Sequence, residues 1–367
     1  MRRLMALALL ICLLSGCSQR QQVENQAYVL VMGVDRTPDG IRITAQMPKV
    51  SQNDQADDGA AGGSYLKLSV SGTSYADVLQ RLSWAVPRTL NLSQLKMLVL
   101  SEEIARDPMC GDLLEEIAQT KRLFAAAQVV VCAGDASGFV IALEAVMGSR
   151  LSTDITSMFD HYIESGEIPE CRLADCYYLT KSIYSDPMLI YANYDDAAEA
   201  FSETLEEAEK RTRTDVKNHY LGAALFSNGS MRGLWERDET ILANLIRGST
   251  RTFKYEYEGR NLDIAPSRPP TVRIDTDAEP VRVSVSLHLT VNSQEAGIDP
   301  DGLSRDLRMK LYDLLTDAQR MGVEPFGFAE CAARNFTTID EFIEYGWKRR
   351  FAGANFDINV NLLRADA

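Results

Sequence analysis

The sequence is poor in the residues from which most metal and catalytic sites are built. Histidine occurs three times in 367 residues, at His161, His219 and His288. No two of these histidines have the spacing of a metal-binding pair such as H-x-x-x-H. No phosphate loop of the form G-x-x-x-x-G-K-[ST] is present either. We therefore expect no metal site, no cofactor and no catalytic residues.

The chain also lacks an excess of basic residues and, past Leu14, any long hydrophobic run. Lys and Arg number 38 against 52 Asp and Glu, which gives a formal net charge of −14. This sign argues against nucleic acid as a partner and against attachment to anionic lipid through basic patches. A membrane span needs roughly 20 consecutive apolar residues. We expect the body of the protein to lie outside the bilayer.

The first twenty residues, MRRLMALALLICLLSGCSQR, have the pattern of a lipoprotein signal peptide. Arg2 and Arg3 precede an apolar run from Leu4 to Leu14, which has the length of a signal-peptide core. A Ser-Gly pair directly before Cys17 is the pattern that a bacterial lipoprotein signal peptidase reads. We expect cleavage before Cys17 and lipid attachment to its sulfur. The alternative is an ordinary secretory signal, but no A-x-A-like site supports it.

Lipid attached at Cys17 would hold the mature chain at a membrane. A single acyl chain gives only marginal, reversible binding, whereas two chains anchor a protein stably. A diacylglyceryl group supplies two chains. The sequence thus predicts a membrane-anchored lipoprotein on the outer face of the membrane.

Five cysteines would remain after cleavage and lipidation. An odd number cannot be paired completely within one chain. Cys171 and Cys176 are close enough in sequence for a local disulfide, but we expect them to be unpaired and partly buried. The five are Cys110, Cys132, Cys171, Cys176 and Cys331.

The order of elements predicts an α+β, multidomain protein with mixed β-sheets and packed helices after the signal peptide. About 350 mature residues exceed what one hydrophobic core usually holds. The expected division is a signal peptide (1–16), a tether (17–26), an N-terminal α/β domain (27–194), a charged linker (195–217), a small middle α+β domain (218–268) and a C-terminal α+β domain (269–367).

In the N-terminal part, strands and helices alternate. Ser74 is placed to cap a helix that Pro87 ends, and the apolar face expected for it consists of Ala76, Leu79, Leu82 and Val86. Strands at 95–100 and 128–132 follow. This succession favours helices packed on a mixed or partly parallel sheet.

In the C-terminal part, Asn228-Gly229 predicts a tight hairpin turn, because both residues tolerate positive φ. We expect the stretch 265–270, APSRPP, to interrupt any regular element. The strand 281–289 alternates strictly, which places His288 on its solvent side. A long helix from Leu303 ends at Gly322, and a final strand, 356–362, is expected to pair with 281–289.

Three groups of residues could be read as enzymatic or ligand-binding features. Gly134–Gly138, GDASG, lacks the G-x-S-x-G order and is typical of a turn or helix cap. Neighbouring carboxylates on a helix point in different directions, so Glu102-Glu103 and Glu115-Glu116 indicate a solvated face or a first-turn dipole partner. The tryptophans could line a ligand cleft, but we expect each to be a core anchor. They are Trp84, Trp235 and Trp347.

The ordered set of motifs resembles the C subunits of bacterial spore germinant receptors, the Ger(x)C lipoprotein family. The similarity covers nearly the whole mature chain. It is carried by the lipobox at Cys17, Met32-Gly-Val-Asp35 before Asp39-Gly40, Pro87-Arg88 before Leu95–Ala105, Gly222–Phe226, Gly233-Leu234, Glu239-Thr240 and Trp347–Leu363.

This resemblance implies a non-enzymatic, lipid-anchored subunit on the outer face of the cell or spore inner membrane. It would act with an integral-membrane A subunit and a transporter-like B subunit, and small-molecule binding by this subunit is not expected. The chain departs from the family pattern in two places. Residues 18–25, SQRQQVEN, replace a tryptophan-containing stretch, and the segment 195–217 is unusually charged.

A solute-binding lipoprotein of a transporter is the alternative function. Such proteins have two large α/β lobes around a hinge. The last third of this chain, with alternating strands and one long helix, fits a smaller separate module better.

Overall fold

The computed structural model describes residues 25–49, 65–120, 126–145, 150–194, 218–291 and 298–364. The signal peptide, Cys17, nearly all of the tether and the linker 195–217 lie outside the described residues, so those expectations stay predictions.

The described residues form strands and helices whose bounds are as follows. The strands are β1 (Gln26–Tyr28), β2 (Val31–Thr37), β3 (Gly40–Pro48), β4 (Tyr65–Gly72), β5 (Thr89–Asn91), β6 (Met97–Ser101), β7 (Gln128–Cys132), β8 (Met188–Tyr194), β9 (Asn218–Ser227), β10 (Ser230–Glu236), β11 (Phe253–Tyr257), β12 (Arg260–Asp275), β13 (Arg282–Val291) and β14 (Asn355–Arg364). The helices are α1 (Tyr75–Ala85), α2 (Glu102–Arg106), α3 (Cys110–Ala118), α4 (Ala136–Ala142), α5 (Leu151–Glu164), α6 (Leu173–Lys181), α7 (Arg237–Arg247), α8 (Pro300–Met321), α9 (Phe328–Ala333), α10 (Ile339–Tyr345) and α11 (Trp347–Phe351).

The first half of the chain is built on an eight-stranded mixed sheet of order β10-β9-β8-β7-β6-β2-β3-β4. Its four central strands, β8, β7, β6 and β2, run parallel, and antiparallel strands extend it at both ends. Every residue of β6 is buried. A parallel strand is apolar on both faces because helices cover both sides of the sheet.

Two hydrophobic cores lie on the two faces of this sheet. On one face α1, α2, α3 and α6 contribute buried side chains to the core. On the other face the core contains side chains from α4 and α5. The expected α/β layering of the N-terminal part is therefore present.

Helix α1 begins where the sequence predicted, but part of its expected burial is wrong. Ser74 Oγ accepts a hydrogen bond from the Asp77 N–H, as an N-cap should. The face against the sheet is formed by Tyr75, Val78 and Leu82, whereas Trp84 is 75% exposed. Two residues after Leu82 a helix has turned by about 200°, so Trp84 faces away from the core.

The hairpin around Asn228-Gly229 is confirmed, and its strands belong to the first sheet. Asn228 and Gly229 have φ of 53° and 78°, which a two-residue turn of this kind requires. The strands of 218–268, expected to form a small middle domain, are divided between two sheets. β9 and β10 extend the first sheet, and β11 and β12 belong to the second.

The second sheet has four strands in the order β11-β12-β13-β14. The final strand pairs with β13 in parallel, which confirms the expected pairing. The expected interruption at 265–270 is wrong, because β12 runs through it. The register shifts between Pro266 and Arg268 and again between Arg268 and Thr271. Proline is tolerated at such bulges, where no ladder N–H is needed.

Helix α8 packs on this second sheet, and α7 packs between the two sheets. Asp299 caps α8 and Gly322, with φ of +67°, ends it as expected. One continuous core joins β8, β9 and β10 to α7, α8 and the second sheet. Trp235 and Trp347 are 2% and 3% exposed in this core, which confirms them as anchors. His288 is only partly exposed on the outer side of β13.

Candidate functional site

A pair of buried acidic residues lies where the two sheets meet. Asp186 precedes β8, and Glu324 follows the end of α8. They are 5% and 3% exposed, although each carries a carboxyl group. A buried carboxyl group requires compensating hydrogen bonds or a partner of opposite charge.

Two hydrogen bonds join these residues directly, one between their main chains and one to the Asp186 side chain. The Asp186 N–H donates to the Glu324 carbonyl at 2.9 Å, and the Glu324 N–H donates to Asp186 Oδ2 at 3.0 Å. Ser185 Oγ–H donates to the same Glu324 carbonyl at 3.2 Å. Hydrogen bonds of ordinary length thus join two residues that are 138 positions apart in the sequence.

The Glu324 carboxylate organises the turn that leads into α9. Its Oε1 accepts the N–H groups of Phe326 and Phe328 at 3.0 and 3.1 Å, and its Oε2 accepts the Ala329 N–H at 3.2 Å. Burial nevertheless raises the pKa of Glu324 to about 8, because desolvation outweighs these three hydrogen bonds and the Asp186 charge adds to the increase.

Lys348 supplies the positive charge of the junction. Its Nζ lies 2.7 Å from Asp186 Oδ1 and donates to Ser227 Oγ at 3.3 Å. Ser227 ends β9 of the first sheet. Lys348 lies on α11, a helix that contributes to the core of the second sheet. The Asp186 side chain is 5% exposed and that of Lys348 44%, so the pair is partly shielded from water.

We call Asp186, Ser227, Glu324 and Lys348 the junction. Its polar atoms are satisfied by one another and by main-chain groups. Beside it, Met188 and Leu225 of the first sheet pack into the same core as the second sheet. The arrangement therefore fixes two sheets relative to each other.

A cleft of about 710 Å³ opens between α7, β10 and α8. Trp235 forms part of its wall and donates its indole N–H to Asp317 Oδ2 at 2.9 Å. Acidic side chains outnumber basic ones in the lining, which also contains Lys310 and Arg320. The acidic members are Glu236, Asp238, Glu239, Asp313 and Asp317.

The Met32–Asp35 motif has a structural role in the first sheet. The buried Asp35 carboxylate accepts the N–H groups of Ala136 and Ser137 at 2.6 and 2.9 Å, which fixes the start of α4. Burial raises its pKa although these two hydrogen bonds oppose the shift. A Cβ on Gly33 would lie 2.9 Å from Val140 Cγ2, so glycine allows α4 to approach β2 closely.

The carboxylate pairs named from the sequence are surface features. Glu102 lies in the first turn of α2, forms a 2.6 Å ion pair with Arg106 and accepts the Tyr191 hydroxyl at 2.8 Å. Glu115 pairs with Lys181 at 2.6 Å. Gly134, with φ of +82°, lies in a turn before α4. The predictions are therefore confirmed: Glu102 lies in a first helical turn, Glu115 lies on a solvated face, and Gly134 lies in a turn.

The histidines and cysteines do not form a site within the described ranges. No group of metal-ligating side chains is found there. Cys110, Cys132, Cys171 and Cys176 are buried free cysteines. Cys171 and Cys176 are unpaired, as expected, but they are fully buried, at 1% and 0% exposure, and not partly buried. Burial raises the pKa of Cys110 and Cys132 to about 12, so both thiols stay protonated at neutral pH. Cys17 lies outside the described residues.

Sequence reasoning missed Asp186, Glu324 and Lys348. A signal was present, because Asp186-Pro187 and Glu324-Pro325 are both acidic-proline pairs next to apolar residues. A residue before proline is held in an extended conformation. Two such extended segments can pair with each other and bury their acidic residues.

Two family models match the chain, and together they span most of it. Residues 19–194 match the spore germination protein N-terminal domain. Residues 221–363 match the C-terminal domain described as spore germination B3/GerAC like. The chain belongs to the Ger(x)C family. This confirms the resemblance noted in the sequence, and the family is membrane-associated.

A sequence relative and a solved structure agree with this assignment. YfkR of Bacillus subtilis (strain 168), which is named as a spore germination protein, is 33% identical over 106 residues, which is 28% of this chain and 28% of YfkR. The crystal structure of the GerBC protein matches with a TM-score of 0.55 at 10% identity and covers 91% of this chain and 97% of that chain. The latter likeness confirms the α+β, multidomain fold.

Within the described ranges, no helix is both long enough and apolar enough to span a membrane.

Proposed function

We propose that this Ger(x)C chain is a lipid-anchored, non-enzymatic subunit that acts with the membrane A and B subunits of a nutrient germinant receptor to trigger spore germination. One observation carries the proposal. The lipobox Leu14-Ser-Gly-Cys17 ends two residues before residue 19, where the first family match begins. The expected cleavage would thus leave the family domain intact, with lipid at its amino terminus.

The anchor agrees with the charge of the chain. A net charge of −14 disfavours adsorption to anionic lipid, so electrostatics cannot hold the protein at a membrane. Two acyl chains on Cys17 would do so. The protein would then lie on the outer face of the cell or spore inner membrane, beside its integral partners.

The junction supports a role as a docking platform. Asp186 and Lys348 are held 2.7 Å apart, and Glu324 carries three main-chain hydrogen bonds, so the two sheets present a fixed combined surface. A subunit that assembles with two membrane proteins benefits from such rigidity, because fewer conformations are lost on binding. The proposed activity needs no cofactor or metal.

A Cys17→Ser variant in spores of the source bacterium tests the proposal. We expect the variant to leave the membrane fraction, to lose diacylglycerol at its amino terminus by mass spectrometry, and to fail to copurify with the A and B subunits. Germination with the cognate nutrient should fall to the level of a deletion strain.

Cys331→Ser is the matched control, because Cys331 is a partly exposed free thiol far from the lipobox in sequence. It should keep membrane attachment and germination. The proposal is overturned if the Cys17→Ser protein stays in the membrane fraction and germination is normal.

A further inference from the structure

Trp84 is the most exposed large apolar side chain of the described residues, at 75%. It lies in the last turn of α1, next to Ala85, where the helix ends before Pro87. Trp235 and Trp347 are buried. An exposed indole has an apolar body and one polar N–H, which suits it to the boundary between lipid and water.

The path of the chain places Trp84 near the point where the tether enters the fold. Strand β1 runs parallel to β5, with Gln26 beside Thr89. Asn91 Nδ2 donates to Gln26 Oε1 at 2.5 Å, which secures the pairing. Because the strands are parallel, the entry of β1 lies at the end of β5 nearer to α1. Five peptide steps join Trp84 to Thr89, a span of at most about 18 Å.

The charge around Trp84 differs from that of the whole chain. From residue 78 to residue 101 there is no Asp or Glu, and Arg81, Arg88 and Lys96 are present. Arg81 pairs with Asp77, whereas Arg88 forms no ion pair among the described residues. Arg81 and Arg88 lie three and four positions from Trp84 in the sequence. Guanidinium groups bind phosphate oxygens, such as those of lipid headgroups.

We propose that the end of α1, formed by Trp84, Ala85, Pro87 and Arg88, contacts the phospholipid surface, with Trp84 inserted among the headgroups. We call these four residues the lipid-facing edge. The inference rests on the proposed anchor at Cys17 and goes beyond it, since it assigns the face that the anchored protein turns toward the membrane.

Because the tether would already hold the protein at the membrane, a weak contact is enough to orient it. Nine peptide steps join Cys17 to Gln26, so the first strand stays within about 32 Å of the lipidated residue. Confinement within this distance raises the effective concentration of the first strand at the membrane surface. One indole and one free guanidinium can then orient the protein, although they could not recruit it from solution.

Fluorescence quenching tests the lipid-facing edge without native lipidation. Residues 18–367 carry an amino-terminal hexahistidine tag in place of the signal peptide. They are bound to vesicles of phosphatidylcholine and phosphatidylglycerol that contain a nickel-chelating lipid and brominated phosphatidylcholine. We expect part of the tryptophan emission to be quenched and the remainder to be blue-shifted relative to the free protein. Trp84→Phe should remove the quenching, because the two remaining tryptophans are buried.

Two controls separate orientation from mere proximity. The same chain with the tag moved to its carboxyl terminus should show no quenching, because its amino-terminal edge is then free of the membrane. Arg88→Gln should reduce quenching on vesicles with phosphatidylglycerol more than on phosphatidylcholine alone.

Equal emission with and without brominated lipid in the amino-terminally tagged wild-type chain overturns the inference. That result would leave the anchor proposal standing, because the tag replaces the lipid. Quenching in this assay together with an unlipidated Cys17 in spores would support the edge and overturn the anchor.

Discussion

At the scale of single residues, the protonation of Glu324 affects the stability of the fold. Its pKa is raised to about 8 in the folded protein, against an ordinary value of 4.5. Between these two pH values the folded state keeps a proton that the unfolded chain has released. The stabilisation from this group is therefore fully present below about pH 4.5 and is lost as the pH rises toward 8, by at most about 1.4 kcal/mol per pH unit.

Glu324→Gln should abolish this pH dependence. Glutamine has the shape of the protonated acid, but its Nε2 cannot accept the Ala329 N–H that Glu324 Oε2 accepts. The variant should therefore be less stable than the wild type near pH 5, and this deficit should shrink as the pH rises toward 8.5. The measurement is the free energy of unfolding from urea titrations at several pH values.

Glu330→Gln serves as the comparison, because Glu330 is exposed and forms a surface ion pair with Arg334. It should lower the free energy of unfolding by no more than an exposed pair contributes, about 0–1 kcal/mol. A pH-independent difference between Glu324→Gln and the wild type would show that Glu324 is ionised throughout in the folded protein.

At the scale of elements, the sheet that joins both halves depends on Gly222 in β9. Its φ is +143°, and a Cβ there would lie 2.3 Å from the Trp235 carbonyl oxygen in β10. Because a backbone atom cannot move aside as a flexible side chain can, Gly222→Ala should destabilise the protein by about 1–3 kcal/mol.

Thermal or urea unfolding measures this loss. Gly259→Ala is the matched change, since Gly259 also has positive φ but nothing lies within 4 Å of its added Cβ. It should cost less than Gly222→Ala. Equal losses at both positions would mean that backbone conformation alone, and not the close approach of β10, requires glycine at 222.

Local patterns predicted elements well where one short-range force decides them. Asn228-Gly229 fixes a hairpin through φ, and Ser74 caps α1 by one hydrogen bond. The patterns failed where packing decides. Trp84 is large and apolar but lies on the helix face opposite Leu82, and β12 accommodates the prolines near Arg268 because its partner strand tolerates bulges.

At the scale of the whole molecule, the junction could not be predicted from the sequence. Asp186 and Glu324 are 138 positions apart, and each lies in a short acidic-proline pair that has no periodic pattern of its own. Only the packing of α8 against both sheets brings them together. The hairpin β9–β10 likewise belongs to the first sheet, where β9 pairs with the edge of β8. Local sequence does not indicate this pairing.

The whole-molecule prediction concerns the coupling of the two sheets through Asp186 and Lys348. Removing only the lysine, as in Lys348→Met, leaves a carboxylate buried without its partner, which is more unfavourable than losing a surface pair. A double-mutant cycle with Asp186→Asn should give a coupling energy of about 1–3 kcal/mol in unfolding experiments.

The exposed pair Arg334–Glu330, at 3.2 Å with side chains 72% and 67% exposed, provides the reference cycle. Its coupling should lie within about 0.2–1 kcal/mol. Limited proteolysis should also cleave Lys348→Met faster than wild type between the two sheets, because local opening of the junction precedes global unfolding. If the two cycles gave the same coupling, the shared apolar core around Met188 and Leu225 would account for the rigidity, and the charges would not.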